Sequence, residues 1–214
     1  MVVVAAGSGR RFGGTKQFAS LGGRPLVAWS VEAARSVADG IVLVVPAPAA
    51  DAAADAGRWP DVEVDVVVTG GATRSASVAA GVAAVPASAG IIVVHDGARP
   101  LAPAALFQRV VEAVVAGAPA VVPGLPMADT VKEVDDAGVV LSTPARHRLV
   151  AVQTPQAFRA DVLRAAHASG GEATDDAGLV EARGTTVRVV PGEPRNVKVT
   201  TPADLELARA LTGR

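Results

Sequence analysis

The chain contains no cysteine, which excludes disulfides, thiolate metal sites and a cysteine nucleophile. Histidine is scarce as well. His95, His147 and His167 stand far apart, without the HExxH spacing of a zinc protease, and no GxSxG nucleophile elbow occurs. No apolar run approaches the ~20 residues that span a bilayer as a helix, and the opening MVVVAA has no basic flank to make it a secretion signal. Net charge is only −1, so the broad positive field that binds nucleic acid or a membrane surface is missing. Acids are absent before Glu32, while Arg10, Arg11, Lys16 and Arg24 fall in that same stretch. A cytoplasmic protein with a locally cationic N-terminal region is therefore expected.

What the chain does have is apolar bulk. Half of its 214 residues are hydrophobic and 19% are charged, a composition that folds, and the length suits one domain over 1–214. Short β-branched runs at 2–5, 41–45, 64–68, 91–94 and 120–123 alternate with helix-period segments at 25–38, 48–57, 74–85 and 103–117. In the last of these, Leu106, Phe107, Val110, Val111 and Val114 share one face, with Pro103 at the start and Gly117 as the stop. Continuous apolar strands alternating with helices predict an α/β fold: a Rossmann-like, mostly parallel sheet with helices on both faces. Ligands of such sheets bind where the loops leave the carboxyl ends of the strands, here after Ala5, Val68 and Val94. Beyond Val122 the rhythm changes. Strand-like runs near 130–134 and 138–142 flank Asp-Asp-Ala-Gly, a hairpin signal, and the C-terminal stretch returns to strand, loop, strand and helix.

The first of those loops, VAAGSGRRFGGTKQF (4–18), is rich in glycine and cations. It fails the dinucleotide template, because GxGxxG needs a third glycine where Phe12 stands. It also fails the P-loop, since Thr15-Lys16 reverses the required Lys-Thr order. A strand followed by A-A-G-x-G-x-R and then Lys-Gln remains. Backbone N–H groups of such a turn can wrap a triphosphate, and the cations can neutralise charge on a phosphorus under attack. A merely solvated basic loop is the plain alternative.

Four further stretches extend this pattern in order along the chain: TGGATRSASVAAGV (69–82), VVHDGARPL (93–101), DTVKEVD (129–135) with TPQAF (154–158), and NVKVTTPADLELA (196–208). With them the chain resembles the 2-C-methyl-D-erythritol 4-phosphate cytidylyltransferase family, which joins that sugar phosphate to CTP in non-mevalonate isoprenoid synthesis. The resemblance implies a nucleotide-diphospho-sugar-transferase-like fold, with a protruding β-hairpin dimerisation arm at about 128–148. It implies Arg11, Lys16, Arg146 and Lys198 as catalytic cations. CTP would meet Ala5, Ala6, Gly7, Ser8, Gly9, Gly71, Arg74 and Ser77. The acceptor would meet Gly97, Arg99, Thr130, Arg146 and Thr154, and Asp96 would hold Mg²⁺ or another divalent cation. Arg146 rather than Arg148 follows from counting back from TPQ, and on this mapping Thr130 and Arg146 act across a homodimer interface.

Each stretch also has a structural reading. Thr73 could simply cap a helix, Asp96 and Arg99 could form a surface ion pair, and Lys198 could guard an edge strand. His95 is expected to pack or hydrogen-bond locally, and Asp175 and Asp176 to cap and order a helix. Three departures from the family stand out: Ala72 where a polar or acidic residue is common, Gly97 where alanine is common, and Arg195 next to Asn196. The expected chemistry is in-line attack of a phosphate oxygen on the α-phosphorus of CTP, with no covalent enzyme intermediate. The alternatives are a ribitol 5-phosphate cytidylyltransferase, a sugar-1-phosphate or molybdopterin nucleotidyltransferase, and a non-catalytic nucleotide-binding dimer of the same fold.

Overall fold

Three parallel valines, Val2, Val3 and Val4, form β1 (Val2–Val4) at the centre of the sheet, paired with strands on both sides. A computed structural model describes residues 1–7, 9, 12–14, 16–56 and 62–213. After β1 come the short pair β2 (Ser20–Leu21) and β3 (Arg24–Pro25), α1 (Leu26–Arg35), β4 (Val42–Val45), α2 (Ala47–Ala56), β5 (Val66–Thr69) and α3 (Arg74–Ala83). Then follow β6 (Ile91–Asp96), α4 (Ala104–Val115), β7 (Ala120–Pro126) and the hairpin β8 (Glu133–Val134) and β9 (Val140–Ser142). The chain closes with β10 (Val150–Val152), β11 (Gln156–Arg159), α5 (Ala160–Ala168), α6 (Asp176–Glu181), β12 (Val187–Pro191) and α7 (Pro202–Thr212).

Strands β5, β4, β1 and β6 lie side by side and parallel. β11 follows, antiparallel to both β6 and β7. β12 runs parallel along residues 120–124 of β7, while β10 pairs antiparallel with residues 124–126. Alternate side chains of a strand face opposite layers, so neighbours in β1 enter different cores. Val2 joins Val42, Val44, Val78, Val82, Phe158, Leu163 and Leu179 on the face covered by α3, α5 and α6. Val3 joins Leu43, Val45, Val27, Val31 and Phe107 on the face covered by α1 and α4. The strands are apolar on both faces for this reason. Gly81 lets α3 approach closely: a Cβ there would stand 2.5 Å from Val2 Cγ1 and 2.8 Å from Val44 Cγ2.

The expected strands and helices are found within a few residues. α4 runs from Ala104 to Val115, with Pro103 at its N-cap and Gly117 at φ 104° just beyond its end. The hairpin forms as read, its turn closed by the Asp135 carboxylate, which accepts from the Ala137 and Val139 amides at 3.0 and 2.8 Å. Two expectations need correction, and one strand is unforeseen. β6 continues two residues past Val94, so Asp96 is the last residue of the strand, registered against Val4. TPQAF lies beyond the expected end of the arm and is not among the expected strands. It supplies β11, an antiparallel strand in the middle of the sheet. Among the described residues NVKVT forms no strand; its Val199 N–H bonds instead to Ala98 O, in the loop after β6, at 2.8 Å. Among the described residues, no helix is long and apolar enough to cross a membrane.

Candidate active site

The parallel register brings the ends of β1, β5 and β6 to one edge, and the loops leaving them wall a cavity of about 470 Å³. Ala5, Ala6 and Gly7 line it from the first loop, Gly71 to Arg74 and Ser77 from the second, Asp96 and Ala98 from the third. Lys16, Gln17 and Lys198 complete the lining. Among these described residues the cations Lys16, Arg74 and Lys198 share the cavity with a single carboxylate, that of Asp96.

The first loop is folded on itself. Gly9 sits at φ 62°, and its carbonyl accepts the Phe12 and Gly13 amides at 2.8 and 3.0 Å. A Cβ at Gly9 would collide with the Gly14 carbonyl oxygen, so this turn needs glycine. Buried Gln17 donates to the Gly7 carbonyl at 3.2 Å and ties the far side of the loop to its start. That puts Lys16 at the cavity wall. Ser8 and Arg11 lie outside the described residues.

The second loop turns into α3 through Gly70 and Gly71, where side chains would meet Ala6 and Ala76. Thr73 caps the helix, accepting from the Ala76 amide at 3.1 Å. The cap leaves the same turn free to present Arg74 to the cavity. Ser77 lines the cavity but is nearly buried, its hydroxyl accepting from Gly71 N–H at 3.1 Å and lying 2.9 Å from the Thr73 carbonyl.

Asp96 is the hub. Its Oδ2 stands 2.6 Å from Lys198 Nζ and its Oδ1 3.4 Å from Arg74 Nη2. Burial alone would raise the Asp96 pKa, but Lys198 and Arg74 outweigh it and hold the carboxyl well below the usual range. The surface ion pair with Arg99 is not formed. Arg99 turns away and donates to the Asn196 carbonyl at 2.7 Å; burial lowers its pKa and Asp96 opposes that shift. Gly97 is buried against the strand end, its N–H donating to Val4 O at 2.9 Å and its carbonyl accepting from Ser30 at 3.2 Å.

Thr154, expected to touch the acceptor, is buried beneath Asp96. Its hydroxyl oxygen accepts the Asp96 amide at 3.0 Å and lies 3.2 Å from His95 Nδ1. His95 Nε2 lies 3.3 Å from the Arg99 carbonyl. A carbonyl only accepts, so Nε2 carries the proton and Nδ1 receives the Thr154 hydroxyl hydrogen. Burial pushes the His95 pKa down to about 4, which keeps the ring neutral at pH 7. The ring packs on Phe107 at 4.8 Å. His95 thus packs and hydrogen-bonds as expected, and its partners hold Asp96 in place.

Lys198 reaches the cavity on a segment pinned at both ends. Buried Asn196 donates to the Thr154 carbonyl at 2.8 Å, and Gln153 accepts from the Glu193 amide at 3.0 Å while its own amide donates to the Glu193 carbonyl at 3.0 Å. On the other side Thr201 and Asp204 form a capping box at the start of α7, Asp204 accepting the Thr201 and Thr200 amides at 2.7 and 2.8 Å. Thr130 and Arg146 do not line the cavity of their own chain. Both are exposed on the arm, Arg146 donating to the Ala128 carbonyl at 2.6 Å.

Sequence reasoning missed Gln17, Gln153 and Asn196 as supports of the site, and it missed the reach of Asp176. Asp175 does cap α6, accepting from the Gly178 amide at 2.9 Å. Asp176 instead lies fully buried, 2.9 Å from Arg74 and 3.1 Å from His167. Two adjacent acids at a helix start signalled only the cap.

A cationic cavity behind a glycine-rich turn, with one carboxylate and no nucleophile–base pair among the described residues that line it, suits transfer between phosphates. The class defined by this fold and site is a nucleotidyltransferase. Comparison with known proteins narrows it. The family model described as 2-C-methyl-D-erythritol 4-phosphate cytidylyltransferase matches residues 1–214. Proteins of that name from Nocardia farcinica and Frankia casuarinae are 51% and 49% identical over all of this chain, which spans 93% and 80% of their lengths. The crystal structure of that enzyme from Thermus thermophilus superposes with a TM-score of 0.82 at 38% identity, covering 100% of this chain and 98% of that one. The 4-diphosphocytidyl-2C-methyl-D-erythritol synthase of Anaerococcus prevotii reaches 0.85 at 31% identity, covering 100% and 97%. The chain belongs to the 2-C-methyl-D-erythritol 4-phosphate cytidylyltransferase family.

Proposed function

We propose that this chain transfers the cytidylyl group of CTP to 2-C-methyl-D-erythritol 4-phosphate, releasing pyrophosphate, in the non-mevalonate route to isoprenoids. The observation that carries this reading is a cavity at the strand ends where Lys198 and Arg74 hold Asp96 and Lys16 joins the lining, in a member of that family. A 4-phosphate oxygen of the acceptor attacks the α-phosphorus in line. A new P–O bond forms as the bond to the β-phosphate oxygen breaks, and its electron pair leaves with pyrophosphate. A phosphate dianion needs no base to attack. The chain's work is to orient two anions and offset their repulsion.

In this reading the first loop cradles the triphosphate with its backbone N–H groups, and Lys16 and Arg11 meet the charge that grows on the α-phosphoryl oxygens. Lys198, held by Asp96, sits where the acceptor phosphate approaches. Gly71, Arg74 and Ser77 form the nucleoside side, and Arg99 with Gly97 supports the wall below the acceptor. A divalent cation fits the donor set: Asp96 is the one carboxylate among the described lining residues and would hold it, since Mg²⁺ is bound through one or two carboxylates together with substrate phosphates. When bound there, it would neutralise triphosphate charge and polarise the phosphoryl oxygens.

Thr130 and Arg146 enter the reading through a homodimer. The arm exposes Val134, Val139, Val140 and Leu141, with Leu141 61% accessible. Burying such a strip against a second copy would bring the partner's arm cations toward the cavity. A cytoplasmic location accords with the absence, among the described residues, of a helix able to span a membrane.

Pyrophosphate release with CTP and Mg²⁺, measured in parallel with methylerythritol 4-phosphate and ribitol 5-phosphate, tests the reading. Release with the first acceptor alone, lost in Lys16→Ala, is expected. Release with ribitol 5-phosphate alone would keep the chemistry and move the acceptor; CTP binding without turnover would support the non-catalytic alternative.

A further inference from the structure

Two motifs find no role in the reaction described so far: the Gln of TPQ and the second acid of TDD. The fold joins them. Gln156, on β11, donates from Nε2 to Asp175 Oδ2 at 2.8 Å, and its Oε1 accepts the Ala177 amide at 3.3 Å. It thus grips the residues on either side of Asp176. Asp176, 0% exposed, lies behind the cavity wall rather than in it, with Oδ2 2.9 Å from Arg74 Nη2 and Oδ1 3.1 Å from His167 Nε2. A buried carboxylate is costly unless compensated. Here the compensating cation is the arginine that faces the cavity.

We propose that Asp176, set in place by Gln156, is a positioning residue that acts through Arg74 on CTP. Arg74 is shared by two carboxylates. Asp176 draws its guanidinium back toward the start of α6, so the distance to Asp96 stays at 3.4 Å while Lys198 takes the closer place at 2.6 Å. Burial disfavours the charge on Arg74, but Asp176 and then Asp96 more than restore it. Its buried Nη1 has no hydrogen-bond partner among the described residues, and the 2.9 Å contact to Asp176 Oδ2 is an ion pair rather than a hydrogen bond. Without Asp176 the nearest anion left to Arg74 is Asp96. The guanidinium closes on it, leaving the nucleotide side of the cavity and crowding Lys198. The inference rests on the assignment of the cavity to CTP.

The test compares Asp176→Asn, Arg74→Met and the double variant, reading KM for CTP, kcat, Tm and CTP affinity by calorimetry without acceptor. Asp176→Asn keeps the size of the side chain, removes its charge and leaves it one acceptor oxygen, the other becoming an NH2 donor. It should raise both KM and the CTP dissociation constant about tenfold, the scale of one charge-assisted contact. In the Arg74→Met background the same change should add less than twofold. Gln156→Met, which removes the grip alone, should shift the CTP constants in the same direction by a few-fold, and it carries the test if Asp176→Asn does not fold. A lower Tm with unchanged CTP constants would make Asp176 merely structural and overturn the proposal. So would a shift that persists undiminished without Arg74. If the wild type binds CTP but transfers it to no acceptor, the functional reading fails while the binding arm still decides the role of Asp176.

Discussion

Thr154→Val is the most informative single change in this molecule, because it preserves shape while removing one hydroxyl at the base of the site. That hydroxyl serves two buried groups, the Asp96 amide and His95 Nδ1, at 3.0 and 3.2 Å. Thr154 is 4% exposed and His95 0%, so water cannot readily replace it. A buried polar group that loses its partner costs about 1–3 kcal/mol. Two such groups make about 2–6 kcal/mol, a large share of the ~5–15 kcal/mol that holds most domains folded. At ~2–4 °C per kcal/mol for a chain of this size, the melting temperature should fall by roughly 5–20 °C. Thr154→Ser isolates the cause. It keeps the hydroxyl and loses one methyl, for about 1 kcal/mol, and it should retain pyrophosphate release. Urea melts at pH 7, with turnover measured on the folded fraction, separate the two effects. If Thr154→Val costs under ~0.5 kcal/mol, the surface-substitution scale, the hydroxyl is not what holds Asp96.

Acid should destabilise the protein in a defined window. His95 is neutral in the folded state with its pKa pushed down to about 4, against ~6.5 when unfolded. The unfolded chain therefore binds the extra proton between these values, and stability falls by about 3 kcal/mol as pH drops from ~6.5 toward 4. Asp96 adds a loss below the usual carboxylate range, since its folded pKa is depressed; His95→Gln should flatten the first step only, in melts taken across pH. Lys198→Ala leaves Asp96 with Arg74 as its remaining close cation and removes a charge beside the reacting phosphates. kcat should fall ~10²–10³-fold, the scale of one electrostatic contact in a transition state, and a loss under threefold would remove Lys198 from the chemistry. Gly9→Ala cannot keep the first turn, since φ is 62° and the Gly14 carbonyl fills the Cβ position; KM for CTP should rise at least tenfold with little change in Tm.

Much of the fold was legible because burial on both faces leaves a local mark. Val2–Val4, Val42–Val45 and Ile91–Val94 read as strands from their own composition, and Leu106, Phe107, Val110 and Val114 as a helix face from their spacing. β11 left no such mark. Gln156 and Arg159 are polar, and only pairing with β6 and β7 makes TPQAF a central strand. The opposite error befell NVKVT, which has β-branched residues but no neighbouring ladder to join.

The candidate site divides in the same way. Glycine-rich turns and clustered cations are local features, and through them and the family resemblance of the stretches around them Lys16, Arg74, Asp96 and Lys198 could be singled out. Their supports could not. Thr154 beneath Asp96, Gln153 gripping the segment before Lys198, and Asp176 behind Arg74 are each held by partners tens of residues away. The amino-acid order by itself determined most of the strands and helices and where the glycine-rich turns fall, because period, burial and backbone freedom act over a few neighbouring residues. Which charges face one another was decided only by tertiary structure: parallel register and helix packing set the distances, and electrostatic interaction depends on distance in space, not along the chain.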